Sequence, residues 1–293
     1  MTQAHDANNQ ANQTENTYLL DAESALEMAR LLDQDRVITK GMGGVFSERE
    51  DTDFADVRRV LDIACGPGGW VHEVAQRYPH IKVTGIDISN KAINYAKAHA
   101  QVRKLENAHF AVMNALKPLE FDDDTFDIVN MRTVVGFIPI AQWPAYLTEC
   151  KRVLRSGGTL RLTEGEFGFT NKPGYETFIA KLNQAQQRAG RSFSPTGHNA
   201  GMITMLRSLL EQVGIQDIQS MAHAIDYSYG KEAHEGGIQD IQFALEVVQP
   251  LLFNTKTMTP ETFAELRAQV LEEIQADDFH GLSILLTVWG KKE

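Results

Sequence analysis

Short apolar runs alternate with longer segments of helical period from residue 57 to residue 164. The apolar runs predict five strands, at residues 60–64, 83–88, 109–114, 126–132 and 159–164. The segments between them predict helices, one with Ser89 as its N-cap and another that begins at Pro144. This alternation predicts a doubly wound α/β fold, in which helices cover both faces of a mostly parallel sheet.

The regular alternation ends after Glu164. An interval rich in Phe, Gly and Pro follows, then a predicted helix and a loop that reaches Gly201. The chain returns to the sheet with predicted strands at 215–225 and 282–290, and two further helices, at 238–253 and 260–274, lie between them. We therefore expect two insertions, at about 167–201 and 227–279, that form a helical cap over a site.

The first residues have a different character from the rest of the chain. Residues 1–17 are polar and nearly free of large apolar side chains, which predicts a disordered tail. Apolar residues then recur at roughly helical spacing over residues 18–32, and a glycine-containing loop follows at 40–46. We expect residues 18–56 to form a helical lid and residues 57–293 to form the main domain.

Composition narrows the function classes. The 293 residues are 43% hydrophobic and carry a formal net charge of −11, which argues against a partner bound through its phosphates. Two cysteines, Cys65 and Cys150, cannot build a disulfide framework, and the Cys and His spacings predict no metal site. With no apolar run long enough to span a bilayer, we expect a cytoplasmic protein without nucleic-acid or membrane partners. The composition leaves open whether the chain forms a homodimer.

The sharpest motif is VLDIACGPGGW, residues 60–70. Gly66 and Gly68 follow a predicted strand and precede a helix, where small residues let backbone amides approach a ligand closely. Asp87 stands about twenty residues on, at the end of the second strand, where a carboxylate can accept ribose hydroxyls. The dinucleotide pattern needs a third glycine where Val71 stands, so this motif indicates a nucleotide-type cradle of another kind.

Residues 60–70 and 83–89 resemble the first two motifs of the class I S-adenosylmethionine-dependent methyltransferases. Residues 113–132 are similar to their third and fourth motifs, and residues 149–164 to the stretch before the fifth strand. The resemblance is closest to the ubiquinone/menaquinone-type small-molecule branch. It implies a Rossmann-like sheet of seven strands with the last one antiparallel, and S-adenosylmethionine as the cofactor.

The resemblance also implies roles for individual residues. Ala64, Gly66 and Gly68 would approach the methionine part of the cofactor, and Asp87 would hold the ribose. Ile88 would pack on the adenine, and Asn114 and Ala115 would line the adenine edge. Arg132 would approach the cofactor or its methyl group. The family usually has Asp where Asn114 stands, and the Asn carbonyl can still accept the adenine amino proton.

Glu164 and His198 are the candidate general bases, because methyl transfer to a protic group needs one. Glu164 follows the fifth strand, at the edge where α/β sites open, whereas a lone histidine is more often structural or exposed. Aromatic residues of the two insertions suit a pocket for an apolar or aromatic small molecule, or form the core of the insertions themselves.

The leading hypothesis is a methyltransferase acting on O, N or C of such a molecule. Two alternatives stay open, a nicotinamide-dependent oxidoreductase and a non-catalytic sensor that binds the cofactor.

Overall fold

The computed structural model describes residues 25–134 and 136–293. The predicted tail at 1–17 and the start of the helix predicted over 18–32 lie outside this range. The first described helix, α1, is Ala25–Gly41, and it continues well beyond residue 32. It does so because Ile38, near its end, and Met42 pack with Ile225 and Leu285 of the sheet.

Eight further α-helices occur in the described residues. They are α2 (Gly69–Arg77), α3 (Asn90–Val102), α4 (Trp143–Val153), α5 (Pro173–Arg188), α6 (Leu206–Gln212), α7 (His234–Val247), α8 (Gln249–Asn254) and α9 (Pro260–Glu273). The predicted N-cap is confirmed, since Ser89 Oγ accepts a hydrogen bond from the Ala92 amide at 3.2 Å. None of the described helices is long and apolar enough to cross a membrane.

The described residues form one seven-stranded sheet. Its strands are β1 (Arg59–Ile63), β2 (Lys82–Asp87), β3 (Ala108–Val112), β4 (Phe126–Arg132), β5 (Leu154–Thr170), β6 (Ile215–Asp226) and β7 (Gly281–Lys292). Their order is β3-β2-β1-β4-β5-β7-β6, and β7 alone runs in the direction opposite to the other six strands. The expected Rossmann-like sheet with an antiparallel last strand is confirmed.

Apolar clusters cover both faces of the sheet, as the doubly wound prediction requires. Val60 of β1 packs with Trp70 of α2 and Ile93 of α3 on one face. Its neighbour Leu61 points the other way and packs with Leu147 of α4. Successive strand residues therefore alternate between two cores, which leaves the carboxyl ends of the strands free to carry a site.

Strand β5 is much longer than the predicted strand at 159–164. Its second half pairs with β7, with Glu164 opposite Leu286 and Thr170 opposite Gly281. The insertion expected from residue 167 therefore begins within the sheet, at an irregular stretch between Glu166 and Phe169. Phe167, Gly168 and Phe169, expected to begin the insertion, belong to this irregular strand.

The helices of the two insertions share an apolar cluster of their own. Tyr175 and Phe178 of α5 pack there with Leu245 of α7 and Phe263 of α9. Several aromatic residues assigned to a substrate pocket are thus core residues of the insertions, the alternative that the sequence left open. That these helices act as a cap stays a prediction.

Candidate active site

The glycine loop joins β1 to α2 in a tight left-handed path. Ala64, Gly66 and Gly68 all have positive φ, at 58°, 52° and 82°. The Cys65 amide donates to Ile86 O of β2 at 2.9 Å, and the Gly68 amide donates to Cys65 O at 3.0 Å. A positive φ is unusual for alanine, and such strained residues concentrate at functional sites.

Asp87 ties this loop to the end of β2. Its Oδ2 accepts a hydrogen bond from the Gly66 amide at 2.9 Å, and its Oδ1 accepts one from the Ser89 amide at 2.8 Å. Burial raises the pKa of this carboxyl group, and the bonds from the backbone amides oppose that effect. Each oxygen has a second acceptor position, so the carboxylate can also receive hydroxyl groups of a ligand.

A cavity of about 360 Å³ opens at the carboxyl ends of β1, β2, β3 and β4 and reaches Glu164 within β5. Its volume falls within the range of small-molecule sites, about 300–1,000 Å³. Eight of the ten predicted site residues line it: Ala64, Gly66, Asp87, Ile88, Asn114, Ala115, Arg132 and Glu164. The fold thus brings together residues that lie as much as 100 positions apart in the chain.

Asn114 and Arg132, like Asp87, have partners within the protein. Asn114 Oδ1 accepts a hydrogen bond from the Leu116 amide at 2.9 Å, which closes a turn after β3. Arg132, at the end of β4, forms an ion pair with Asp35 of α1 and donates to Thr39 Oγ1 at 3.0 Å. Burial lowers the pKa of its guanidinium group, which still leaves it charged at neutral pH.

Gly68 does not line the cavity, contrary to the prediction. A Cβ at this position would lie 2.7 Å from Cε1 of Phe110 and 3.0 Å from Cβ of Ala96. Glycine is therefore required here by packing between the loop, β3 and α3. The sequence pattern could not distinguish a glycine that faces a ligand from one that faces the core.

His198 also lies outside the cavity lining. Its side chain is exposed, and Nδ1 lies 2.7 Å from Thr196 Oγ1 of the same loop. This position does not support the assignment of His198 as a general base, because a base must reach the reacting proton. The assignment stays a prediction.

Glu164, the other candidate base, does line the cavity. Its side chain lines the cavity with only 1% of the residue exposed, and Oε1 accepts a hydrogen bond from the Val134 amide at 2.7 Å. The next carboxylate along β5, Glu166, accepts from the amides of Ala200 and Gly201 at 3.0 and 2.7 Å. Glu166 therefore anchors the loop after α5 rather than facing the cavity.

A buried polar network under the glycine loop escaped the sequence reasoning. Asn130 Nδ2 donates to Asp62 Oδ1 and Arg161 Nη1 donates to Asn130 Oδ1, both at 2.7 Å. Arg161 Nε in turn binds Glu48 Oε1 at 2.6 Å, and these two side chains are 1% and 0% exposed. Burial raises the pKa of Asp62 to about 7. The signal was one polar residue inside each of three apolar runs.

Helix α1 covers one side of the cavity. Leu31 and Gln34 line it, and Arg30 Nη1 forms an ion pair with Asp240 Oδ1 of α7 at 2.6 Å. Together with the Asp35–Arg132 pair, this contact fixes α1 between the sheet and the second insertion. The N-terminal helix therefore contributes to the site, and its action as a lid stays a prediction.

Comparisons with known proteins agree with this geometry. Residues 60–158 match the family model described as a methyltransferase domain. The chain is 31% identical over 140 residues to phosphoethanolamine N-methyltransferase 3 of Arabidopsis thaliana, a match covering 46% of this chain and 28% of that protein. It is 30% identical over 131 residues to demethylmenaquinone methyltransferase of Thermotoga maritima, covering 44% and 54%. The match thus spans about half or less of these relatives.

A solved structure extends the likeness beyond the sheet. Phosphoethanolamine N-methyltransferase 2 of Haemonchus contortus, in complex with phosphomonomethylethanolamine and S-adenosylhomocysteine, superposes with a TM-score of 0.50. Sequence identity is 17%, and the alignment covers 87% of this chain and 53% of that one. At this identity the likeness supports the fold alone.

The fold, the glycine loop and the family match support one class. Residues 60–158 match a methyltransferase domain, and the described sheet has the strand order and antiparallel last strand expected of a class I S-adenosylmethionine-dependent methyltransferase.

Proposed function

We propose that this protein binds S-adenosylmethionine in the cavity at the strand ends and transfers its methyl group to a small molecule bound beside it. The observation that carries the proposal is the convergence of the glycine loop, Asp87, Asn114 and Glu164 on one cavity of adequate volume. When bound, S-adenosylmethionine supplies a methyl group on a positively charged sulfur.

The residues at one end of the cavity suit an adenosine. Asp87 offers its remaining acceptor positions to the ribose hydroxyls, and Ile88 gives an apolar surface for the adenine ring. Asn114 and Ala115 border the same end, where the amide of Asn114 can bind the adenine edge. Ala64 and Gly66 present their backbone, without bulky side chains, toward the methionine part.

The other end suits the methyl acceptor. Met28 and Leu31 of α1 face it together with Phe137 and Phe167, and these side chains exclude water from the reacting atoms. Because methyl transfer from a sulfonium is an in-line displacement, the main task of these residues is to hold the acceptor in line. The proposal is an apolar or aromatic acceptor, methylated on O, N or C.

Glu164 is proposed to accept the proton of a protic acceptor. It lies within β5, beside the carboxyl end of β4, and the Val134 amide fixes one of its oxygens. Glu164→Gln keeps the shape and removes the basicity, so we expect turnover to fall by about 10²-fold or more while binding of S-adenosylhomocysteine persists. Unchanged turnover in this variant would contradict the role.

Calorimetric titration with S-adenosylmethionine, S-adenosylhomocysteine and NADH tests the cofactor. We expect the two sulfur ligands to bind, and Asp87→Ala to weaken both by at least about tenfold, since it removes a charged hydrogen-bond acceptor. Asp56→Ala, at an exposed position, is the matched control. Binding of NADH alone would favour the oxidoreductase alternative, and cofactor binding without turnover on any acceptor would favour a sensor.

Three further expectations rest on the sequence alone. We expect a cytoplasmic location because no apolar run is long enough to span a bilayer, and no nucleic-acid partner because the net charge is −11. Whether the chain forms a homodimer is left open. Analytical ultracentrifugation of the purified chain decides the oligomeric state.

A further inference from the structure

The lining of the cavity has an unusual charge arrangement. Among the described residues that line the cavity, Arg30 and Arg132 are the cationic ones, and Asp87 and Glu164 are acidic. An anionic acceptor would need a guanidinium or ammonium group that is available to it. If the proposed function holds, the partners of the two arginines therefore determine whether the site can bind an anionic acceptor.

Arg30 lines the cavity and is paired with the second insertion. Its Nη1 lies 2.6 Å from Asp240 Oδ1, and Gln34 Nε2 donates to Asp240 Oδ2 at 3.1 Å. The guanidinium carbon lies 4.2 Å from the centre of the Phe243 ring. With 11% of the side chain exposed, this cation is held by a carboxylate and an aromatic face.

Arg132 is held in the same way on the other side of α1. It pairs with Asp35, and its guanidinium carbon lies 5.9 Å from the centre of the Trp70 ring. The side chain is 8% exposed. Each arginine of the described lining thus has a carboxylate from another element as its partner, and its charge is neutralised locally.

The acidic groups of the lining are placed differently. Asp87 is bound by the backbone amides of Gly66 and Ser89, and Glu164 by the amide of Val134. An anionic group of the acceptor beside Glu164 would meet like charge in a partly desolvated cavity. Such an arrangement selects against anionic ligands, as like-charge contacts do at interfaces.

We propose that the methyl acceptor is an uncharged apolar molecule carrying a hydroxyl or amine, and that phosphomonoesters and carboxylates are rejected. This inference rests on the proposed function and names its substrate class. It separates this site from one for phosphoethanolamine, the substrate in the name of the Arabidopsis relative.

A matched probe series tests the inference. Binding of 1-naphthol, 1-naphthyl phosphate and 1-naphthoate is measured by calorimetry, with and without saturating S-adenosylhomocysteine. We expect 1-naphthol to bind at least about tenfold more tightly than either anion. Equal or tighter binding of an anion overturns the inference. Titration of S-adenosylhomocysteine alone tests the proposed function separately. The three naphthyl probes titrated without S-adenosylhomocysteine test the charge preference independently of cofactor binding.

Two variants test whether the pairing of the arginines causes the rejection of anions. Asp240→Asn removes the partner of Arg30, and Gln186→Arg adds a guanidinium to the cavity lining without breaking an ion pair. Each is expected to tighten binding of 1-naphthyl phosphate by about tenfold and to leave 1-naphthol unchanged. Glu265→Gln, exposed on α9, is the control. If Asp240→Asn does not fold, Gln186→Arg still tests the inference. A folded variant whose affinity for 1-naphthyl phosphate does not increase overturns the inference.

Discussion

Asp62 is the buried carboxyl group whose ionisation links stability to pH. It is 5% exposed on β1, bound by Asn130, and close enough to Arg161 and Asp87 to feel their charges. Burial raises its pKa from 3.8 to about 7, Asn130 and Arg161 oppose the rise, and Asp87 adds to it. The folded protein therefore holds a proton here over a range in which the unfolded chain has lost it.

The sign and size of the effect follow from linkage. Because the folded-state pKa is the higher one, the stabilising contribution is complete below about pH 4 and is lost as pH rises to about 7. A shift of about three units corresponds to at most about 4 kcal/mol, at about 1.4 kcal/mol per unit. Asp62→Asn keeps the shape and cannot ionise, so its stability relative to the native chain should rise with pH.

Urea unfolding of both proteins at pH 5 and pH 8, followed by circular dichroism, measures this difference. Comparing the two proteins cancels the titration of every other group that they share. We expect Asp62→Asn to gain about 2–4 kcal/mol relative to the native chain between the two pH values. A difference that stays constant from pH 5 to pH 8 would refute the assignment of a raised pKa to this carboxyl group.

Three further variants probe the parts that hold the site. Gly68→Ala should lower the free energy of unfolding in urea by about 1–3 kcal/mol more than Gly190→Ala. Both glycines have positive φ, but among the described residues only a Cβ at position 68 would meet packed neighbours. Arg161→Met should cost about 3–5 kcal/mol by the same assay, since it leaves a buried carboxylate without its partner. Glu166→Gln should speed hydrogen exchange at residues 200–201, and the exposed Glu265→Gln should not.

Each of these expectations has a contradicting result. Equal losses for the two glycine variants would mean that the loop is not tightly packed against β3. A mild effect of Arg161→Met would mean that the network is solvated. Unchanged exchange at residues 200–201 in Glu166→Gln would mean that the carboxylate does not anchor that loop.

The sheet and the cofactor end of the cavity could be predicted because their signals are local. The glycine loop and Asp87 lie on consecutive elements, and parallel strands bring their carboxyl ends to one edge. The length of β5 could not be predicted, since its second half exists through pairing with β7, more than 110 residues later. Strand pairing at such separation leaves little trace in a short window of sequence.

The acceptor end depends on contacts that sequence spacing does not encode. Arg132 was expected to face the cofactor, and its pairing with Asp35 follows from where α1 crosses the sheet. The sequence favours Glu164 over His198 as a base by its place after the fifth strand, and the folded path of the loop adds that His198 lies outside the cavity lining. The network from Asp62 to Glu48 likewise follows from strand register, which places Asp62, Asn130 and Arg161 side by side.

The most direct test of the account is a crystal structure of the protein with S-adenosylhomocysteine. We predict density along the cavity, with the ribose hydroxyls within hydrogen-bond distance of the Asp87 carboxylate and the adenine beside Ile88 and Asn114. The sulfur should face the end that holds Glu164 and Phe167. Density for the ligand elsewhere, or a cavity that stays empty at saturating ligand in solution and in the crystal, would contradict the account.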